Sequence, residues 1–271
     1  MRLSVSHRTT YRFAEPVRDL VQSQRLQPAD CENQRVVDWS VRAEGGQIGA
    51  GFRDGAGDWV QTLSMRGWVS GLTVEVAGEV ETADLNGVLR GHRETVRPPV
   101  YLRHSRATRP STGLRRLAEA AVAGEETGLG RAHALARTVT ETIVYSPGET
   151  DAATTAAEAL EHGYGVCQDQ THVLIAAALT LGIPARYVAG YLFSEGGDAM
   201  AEASHAWAEL FLEGLGWVGF DPANACCPDA RYIRLGSGFD AVDAAPIRGV
   251  AQGVATEYLD VEVNVAQVQQ Q

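Results

Sequence analysis

Cys167 lies in the stretch HGYGVCQDQTHVLIAAALTLGIPARYVAGYL, residues 162–192. A free sulfur is the strongest nucleophile among protein side chains once it has lost its proton. Residues 173–179 are apolar on every face, which predicts a buried helix over 167–181. Gly182 suits its left-handed cap and Pro184 a stop just beyond. Cys167 therefore falls at the helix N-terminus, after a loop that Gly163 and Gly165 let turn tightly. There the free N–H groups and the positive end of the helix dipole favour a thiolate. The same N–H groups can donate to an oxyanion formed on an attacked carbonyl. Asp169 is a counterweight, because its carboxylate suits the dipole but repels a nearby thiolate.

A sulfur nucleophile also needs a base and a group that orients the base. His205 lies in SHAWAELFLEGLGWVGFDPAN, residues 204–224, where it shares a strand face with Trp207, Glu209 and Phe211. Asp221 closes the next strand. With a hairpin midpoint near Glu213 the two residues become cross-strand neighbours on one face. Asp221 would then accept a hydrogen bond from His205 and hold the ring toward Cys167, as in the general nucleophile–base–orienter arrangement.

Tyr164, Gly165 and Gln168 flank the sulfur. These residues, or the more distant Tyr145, are candidates for a second oxyanion donor or for the substrate cleft. Zinc is the rival chemistry, since Cys167, His162, His172, His205 and Asp169 are all ligand types. Spacing argues against it: Cys167 and His172 point about 140° apart on a helix. No metal and no cofactor is expected. Cys31 and the Cys226–Cys227 pair read as small buried residues without a role.

The elements that must position these groups fall into two regions. Residues 1–97 read as a β-sandwich. Leu3, Val5, Tyr11 and Phe13 alternate, as do Val37, Trp39 and Val41, then Trp59, Leu63 and Met65, then Leu72, Val74 and Val76. Gly45–Gly46, Asp54–Gly55, Gly57–Asp58 and Asn86–Gly87 mark turns. Pro98, Pro99 and Pro110 punctuate a linker. From 112 the period becomes helical, with stripes at Leu114, Leu117, Ala118 and Ala121 and at Leu129, Ala132, Leu135, Ala136, Val139 and Ile143. A third helix is expected over 151–160. Strands follow at 186–193, 203–212 and 217–221, and a last one alternates Leu259, Val261, Val263 and Val265. Helices followed by strands, without βαβ alternation, predict an α+β catalytic domain over 98–271 that carries the C-terminal strand.

Composition narrows the function. The formal net charge of −11 and the absence of a basic tract exclude general phosphate-backbone binding, so no nucleic acid is expected. No membrane partner is expected either, because the longest apolar run, 173–183, is far shorter than the roughly 20 residues needed to span a bilayer. With no signal-like start the chain reads as cytoplasmic. Nothing fixes the oligomeric state, and residues 269–271, all Gln, read as a frayed end.

The segments 163–192 and 204–224 resemble the bacterial transglutaminase-like superfamily. TTYRFAEPV (9–17) is similar to the N-terminal domain of one bacterial branch, and YIRLGSGFDAVDAAPIRGVAQG (232–253) to its C-terminal segment. The resemblance implies a papain-like core with Cys167 as nucleophile, His205 as base and Asp221 as orienter. It implies acyl transfer on a protein or peptide through a thioester, first of all as a cysteine peptidase or amide hydrolase. Glutamine cross-linking or deamidation remains open, because it shares the acyl-enzyme step. So does a protein-binding scaffold that keeps the three residues without a working cleft.

Overall fold

A computed structural model describes residues 1–194, 204–253 and 255–268. The fold is α+β with antiparallel sheets. The first sheet is built on two long strands, β1 (Arg2–Gln24) and β4 (Trp59–Thr82). β2 (Gln34–Ala43) and β3 (Gln47–Arg53) pair with β4; β11 (Ile247–Gln252) and β12 (Glu257–Gln267) pair with β1. The partners divide by half. β12 and β2 flank one half, and β11 and β3 flank the other. The β1–β4 register shifts between Arg12 and Val17 and again between Arg18 and Leu20. Such bulges bend a strand and increase its twist. Val41 and Ala43 from one half and Ile48 and Leu63 from the other then share a single apolar cluster. The expected sandwich thus forms from one sheet whose long strands change partners.

Two corrections follow. The strands expected at 59–65 and 72–76 are one strand, because the bulges absorb the change of parity between them. The C-terminal strand, assigned from sequence to the region 98–271, pairs with β1 from Leu3↔Gln267 to Phe13↔Glu257. The chain ends in the sheet where it began, so sheet pairing does not divide at residue 97.

The second layer holds α1 (Thr112–Ala121), α2 (Gly128–Thr142), α3 (Ala156–His162) and α4 (Cys167–Thr180) against a sheet ordered β10–β7–β8–β9. Its strands are β7 (Ala185–Leu192), β8 (Ser204–Leu212), β9 (Gly216–Phe220) and β10 (Tyr232–Gly238). Ala203, expected to start β8, and residues 269–271 lie outside the described residues. Ser111, Thr127 and Thr155 cap α1, α2 and α3. α3 begins later than 151 because Asp151 folds a turn onto Ala153 N–H, and the Thr155–Glu158 capping box starts the helix proper. Leu129 of the expected stripe is 40% exposed. α4 is buried from Val173 to Leu179 and sits on the alanine-rich face of β7 and β8. β10 carries no alternation because all seven of its residues are buried.

The other face of this sheet carries buried charge. Arg186 of β7 donates to Glu209 of β8 at 2.7 Å and to Glu94 at 2.5 Å. Arg234 of β10 donates to Glu209 at 3.0 Å and to Asp58 at 2.5 Å. Asp58 also accepts from Ser237 N–H and Oγ. Trp217 donates to Glu94 at 2.6 Å, and the Arg186 guanidinium lies 4.0 Å over the Trp217 ring. Burial would raise the Glu209 pKa, but the two arginines hold it down at about 2. Asp58 and Glu94 come from the first region, so the network ties it to the site-bearing sheet. The expected linker is docked as well: Tyr101, in a 3-10 turn over Pro98–Leu102, packs edge-on against Trp217 at 5.2 Å.

Candidate active site

Cys167 is the first residue of α4 and is buried. Two short strands, β5 (Val144–Tyr145) and β6 (Tyr164–Gly165), pair in parallel just before it. Gly163 caps α3 in the left-handed region, φ 74°, and turns the chain toward this ladder. The Asp169 carboxylate turns back to accept from Val166 N–H at 2.9 Å and from Thr150 Oγ1 at 2.6 Å. It therefore caps the helix. Gly165 makes room for it: a Cβ there would meet the Asp169 Cβ at 2.6 Å.

His205 is the second residue of β8 and Asp221 follows β9. His205 Nε2 lies 2.7 Å from Asp221 Oδ2. Cys167 also acts on the imidazole and raises its pKa, so the structure brings the three residues singled out in the sequence into one neighbourhood. Burial would lower the pKa of His205. The hydrogen bond to Asp221, the interaction with Cys167 and the negative charge each can carry raise it to about 10.

Asp221 is held on every side. Oδ1 accepts from Ala223 N–H at 2.9 Å and Asn224 N–H at 3.3 Å. Oδ2 accepts from His205, from Asn224 Nδ2 at 2.7 Å and from Tyr232 Oη at 2.7 Å. Burial would raise its pKa, but these donors and the His205 charge keep it below the usual carboxylate range. Sequence reasoning missed Asn224 and Tyr232. Asn224 carried a local signal, three residues past the aspartate. Tyr232 carried none, because it arrives on β10.

The other candidates separate. Tyr145 is the register partner of Gly165, which places it beside the loop that enters α4. Tyr164 stacks on His162 at 5.4 Å. Gly165 is buried and Gln168 half-buried. His172 is packed away: its Nε2 accepts from Ala241 N–H at 3.0 Å and its ring contacts Tyr187. Among the described residues no three His, Cys, Asp or Glu side chains are grouped to hold a metal. Cys31, Cys226 and Cys227, expected to be buried, are half-buried. Cys226 Sγ lies 3.3 Å from Tyr232 Oη. Among the described residues no helix is long and apolar enough to cross a membrane.

The transglutaminase-like superfamily core matches residues 115–222, and the bacterial transglutaminase-like N-terminal region matches 3–81. An uncharacterized protein of Mycobacterium leprae is 28% identical over 285 residues, covering 98% of this chain and 99% of its own length. An uncharacterized protein of Mycobacterium tuberculosis is 36% identical over 141 residues, 48% of this chain and 45% of that protein. The crystal structure of a proposed cysteine protease from Cytophaga hutchinsonii shares the fold. Its TM-score is 0.76 at 23% identity, over 100% of this chain and 92% of that one.

Proposed function

From a chain that belongs to the transglutaminase-like superfamily, we propose a cysteine-dependent acyl-transfer enzyme acting on protein or peptide amides, with Cys167 as nucleophile, His205 as acid–base and Asp221 as orienter. One observation carries the reading: His205 bonds Asp221 through Nε2 at 2.7 Å, while Cys167, at the start of α4, acts on the same imidazole and raises its pKa. The Cys167 sulfur attacks the amide carbonyl, and the N–H groups of the first turn of α4 receive the developing oxyanion. The tetrahedral adduct collapses to a thioester as the imidazolium gives its proton to the departing amine. Water then takes the acyl group, with His205 accepting its proton. This makes the enzyme a peptidase or amide hydrolase.

The test compares a cell-lysate proteome treated with wild type and with Cys167→Ala. New peptide termini that appear only with wild type support hydrolysis. Ammonia release that an added primary amine leaves intact while the amine is incorporated points to glutamine cross-linking instead. Ammonia release without incorporation points to deamidation. Equal profiles, together with Cys167 alkylation no faster than that of Cys31, reject the enzymatic reading and leave a binding scaffold.

A further inference from the structure

Asp221 Oδ2 receives three donors, more than one carboxylate oxygen needs to orient a histidine. Asn224 and the backbone amides already fix the carboxylate in place. Tyr232 adds something different. Its hydroxyl is a neutral donor aimed at the oxygen that holds His205, and it reaches that oxygen from a separate strand. Its ring is buried, packed edge-on to Trp207 at 5.5 Å and 6.0 Å from the His205 ring. The hydroxyl cannot swing to solvent without unpacking that contact. Cys226 Sγ sits 3.3 Å behind it as a second polar partner.

We propose that Tyr232 is a positioning residue of this site, whose hydroxyl draws charge from Asp221 Oδ2 and so sets how tightly the protonated His205 is held. The assignment rests on the Cys167–His205–Asp221 reading. A carboxylate that shares its charge with a phenol is a weaker acceptor toward imidazolium. Without the phenol, the imidazolium would be bound more firmly and would release its proton to a leaving amine less readily. Tyr232 thus keeps the acid–base group from becoming too basic. Other titratable or charged groups near the trio include Asp169 on α4, Tyr187 on β7, Cys226, Asp229 and Arg231 ahead of β10, Asp240 beyond it, and His133, Arg137 and Glu141 of α2, which line one cavity with Asp221. None of these side chains donates to Asp221 Oδ2, whose three donors are His205, Asn224 and Tyr232.

The experiment follows the His205 imidazole by 15N NMR titration in the full chain, with alkylation of Cys167 by iodoacetamide in parallel. Tyr232→Phe keeps the ring and removes the donor, and the His205 midpoint moves up by about half a pH unit. Replacing Tyr232 by 3-fluorotyrosine keeps the hydroxyl and strengthens it as a donor, and the midpoint moves down. The opposite signs separate this role from packing, and the second replacement covers a Phe variant that folds poorly. A wild-type midpoint near 10 that neither replacement moves overturns the role of Tyr232 and leaves the site reading standing. A wild-type midpoint near the ordinary 6.5, with slow Cys167 alkylation, overturns the site reading and the role of Tyr232 together.

Discussion

His205 and Asp221 are joined at 2.7 Å although they are not opposite each other across their hairpin. The β8–β9 register pairs Leu212 with Gly216 and Ala208 with Phe220, which centres the turn on Gly214 and, if continued, sets Trp207 opposite Asp221. The two residues are therefore diagonal neighbours. The midpoint lies one residue later than the sequence suggests, and this moves every pairing by two. An even shift keeps side-chain parity, so both residues still share a face. An odd shift would have separated them.

Asp221→Asn keeps the shape of this link and removes its charge. The His205 pKa then falls from about 10 toward 6.5. Alkylation of Cys167 by iodoacetamide at neutral pH slows by about tenfold or more, given the far larger losses seen when a triad aspartate is changed this way. Peptide mass spectrometry reads the rate at Cys167 separately from the other cysteines. A rate equal to wild type would remove Asp221 from the chemistry.

Gly165→Ala places a methyl group 2.6 Å from the Asp169 Cβ. The carboxylate is pushed off Val166 N–H and Thr150, and the cap of α4 is lost. Caps of this kind contribute about 1–2 kcal/mol. Urea unfolding should show at least that loss, and Asp169→Ala a similar one. Full stability in both variants would mean that α4 needs no cap here.

Asp58→Ala strands the Arg234 guanidinium in a buried site, with Glu209 left to serve two arginines. Breaking a buried pair in this way costs about 3–5 kcal/mol. Because Asp58 lies in the first region and Arg234 on β10, the variant also loosens the tie between the two layers. Limited proteolysis near residues 84–110 should accelerate along with the drop in unfolding midpoint. A change of less than about 1 kcal/mol would show the network to be dispensable.

Stability should fall on both sides of neutrality. His7 and His172 titrate at about 4 when folded, lowered by burial from 6.5, so the unfolded chain binds more protons between those values. Stability is lost as pH falls through that window, and Glu209 adds a further loss between 4.5 and about 2. His205 has the opposite sign. Its folded pKa is raised, so its contribution is complete below 6.5 and is lost as pH rises through about 10. Urea midpoints across this range test both limbs. His172→Asn should flatten the acid limb and Asp221→Asn the alkaline one; unchanged slopes would contradict these assignments.

Much of this was legible along the chain because it is local. The N-terminal place of Cys167 follows from a run of apolar residues and from Gly182 and Pro184, all within one helix. The shared face of His205 and Asp221 follows from alternation and a short turn. Helix caps at Ser111, Thr127 and Thr155 are also local.

What the linear order of residues could not decide is what distant segments share. Period-2 alternation marks a strand only when one face is solvated, so β10, buried on both faces, was invisible. With β10 went Tyr232, the third donor to Asp221 Oδ2, and Arg234, the partner of Asp58. The return of β11 and β12 to β1 was hidden for a related reason: a strand's own pattern specifies which face it buries, not which edge it joins. Residue types and spacing singled out Cys167, His205 and Asp221 as the candidate trio. Only packing of the whole chain decided which hydroxyl, which arginines and which sheet edge surround them, because those choices depend on volume and unpaired polar groups that exist only once the layers meet.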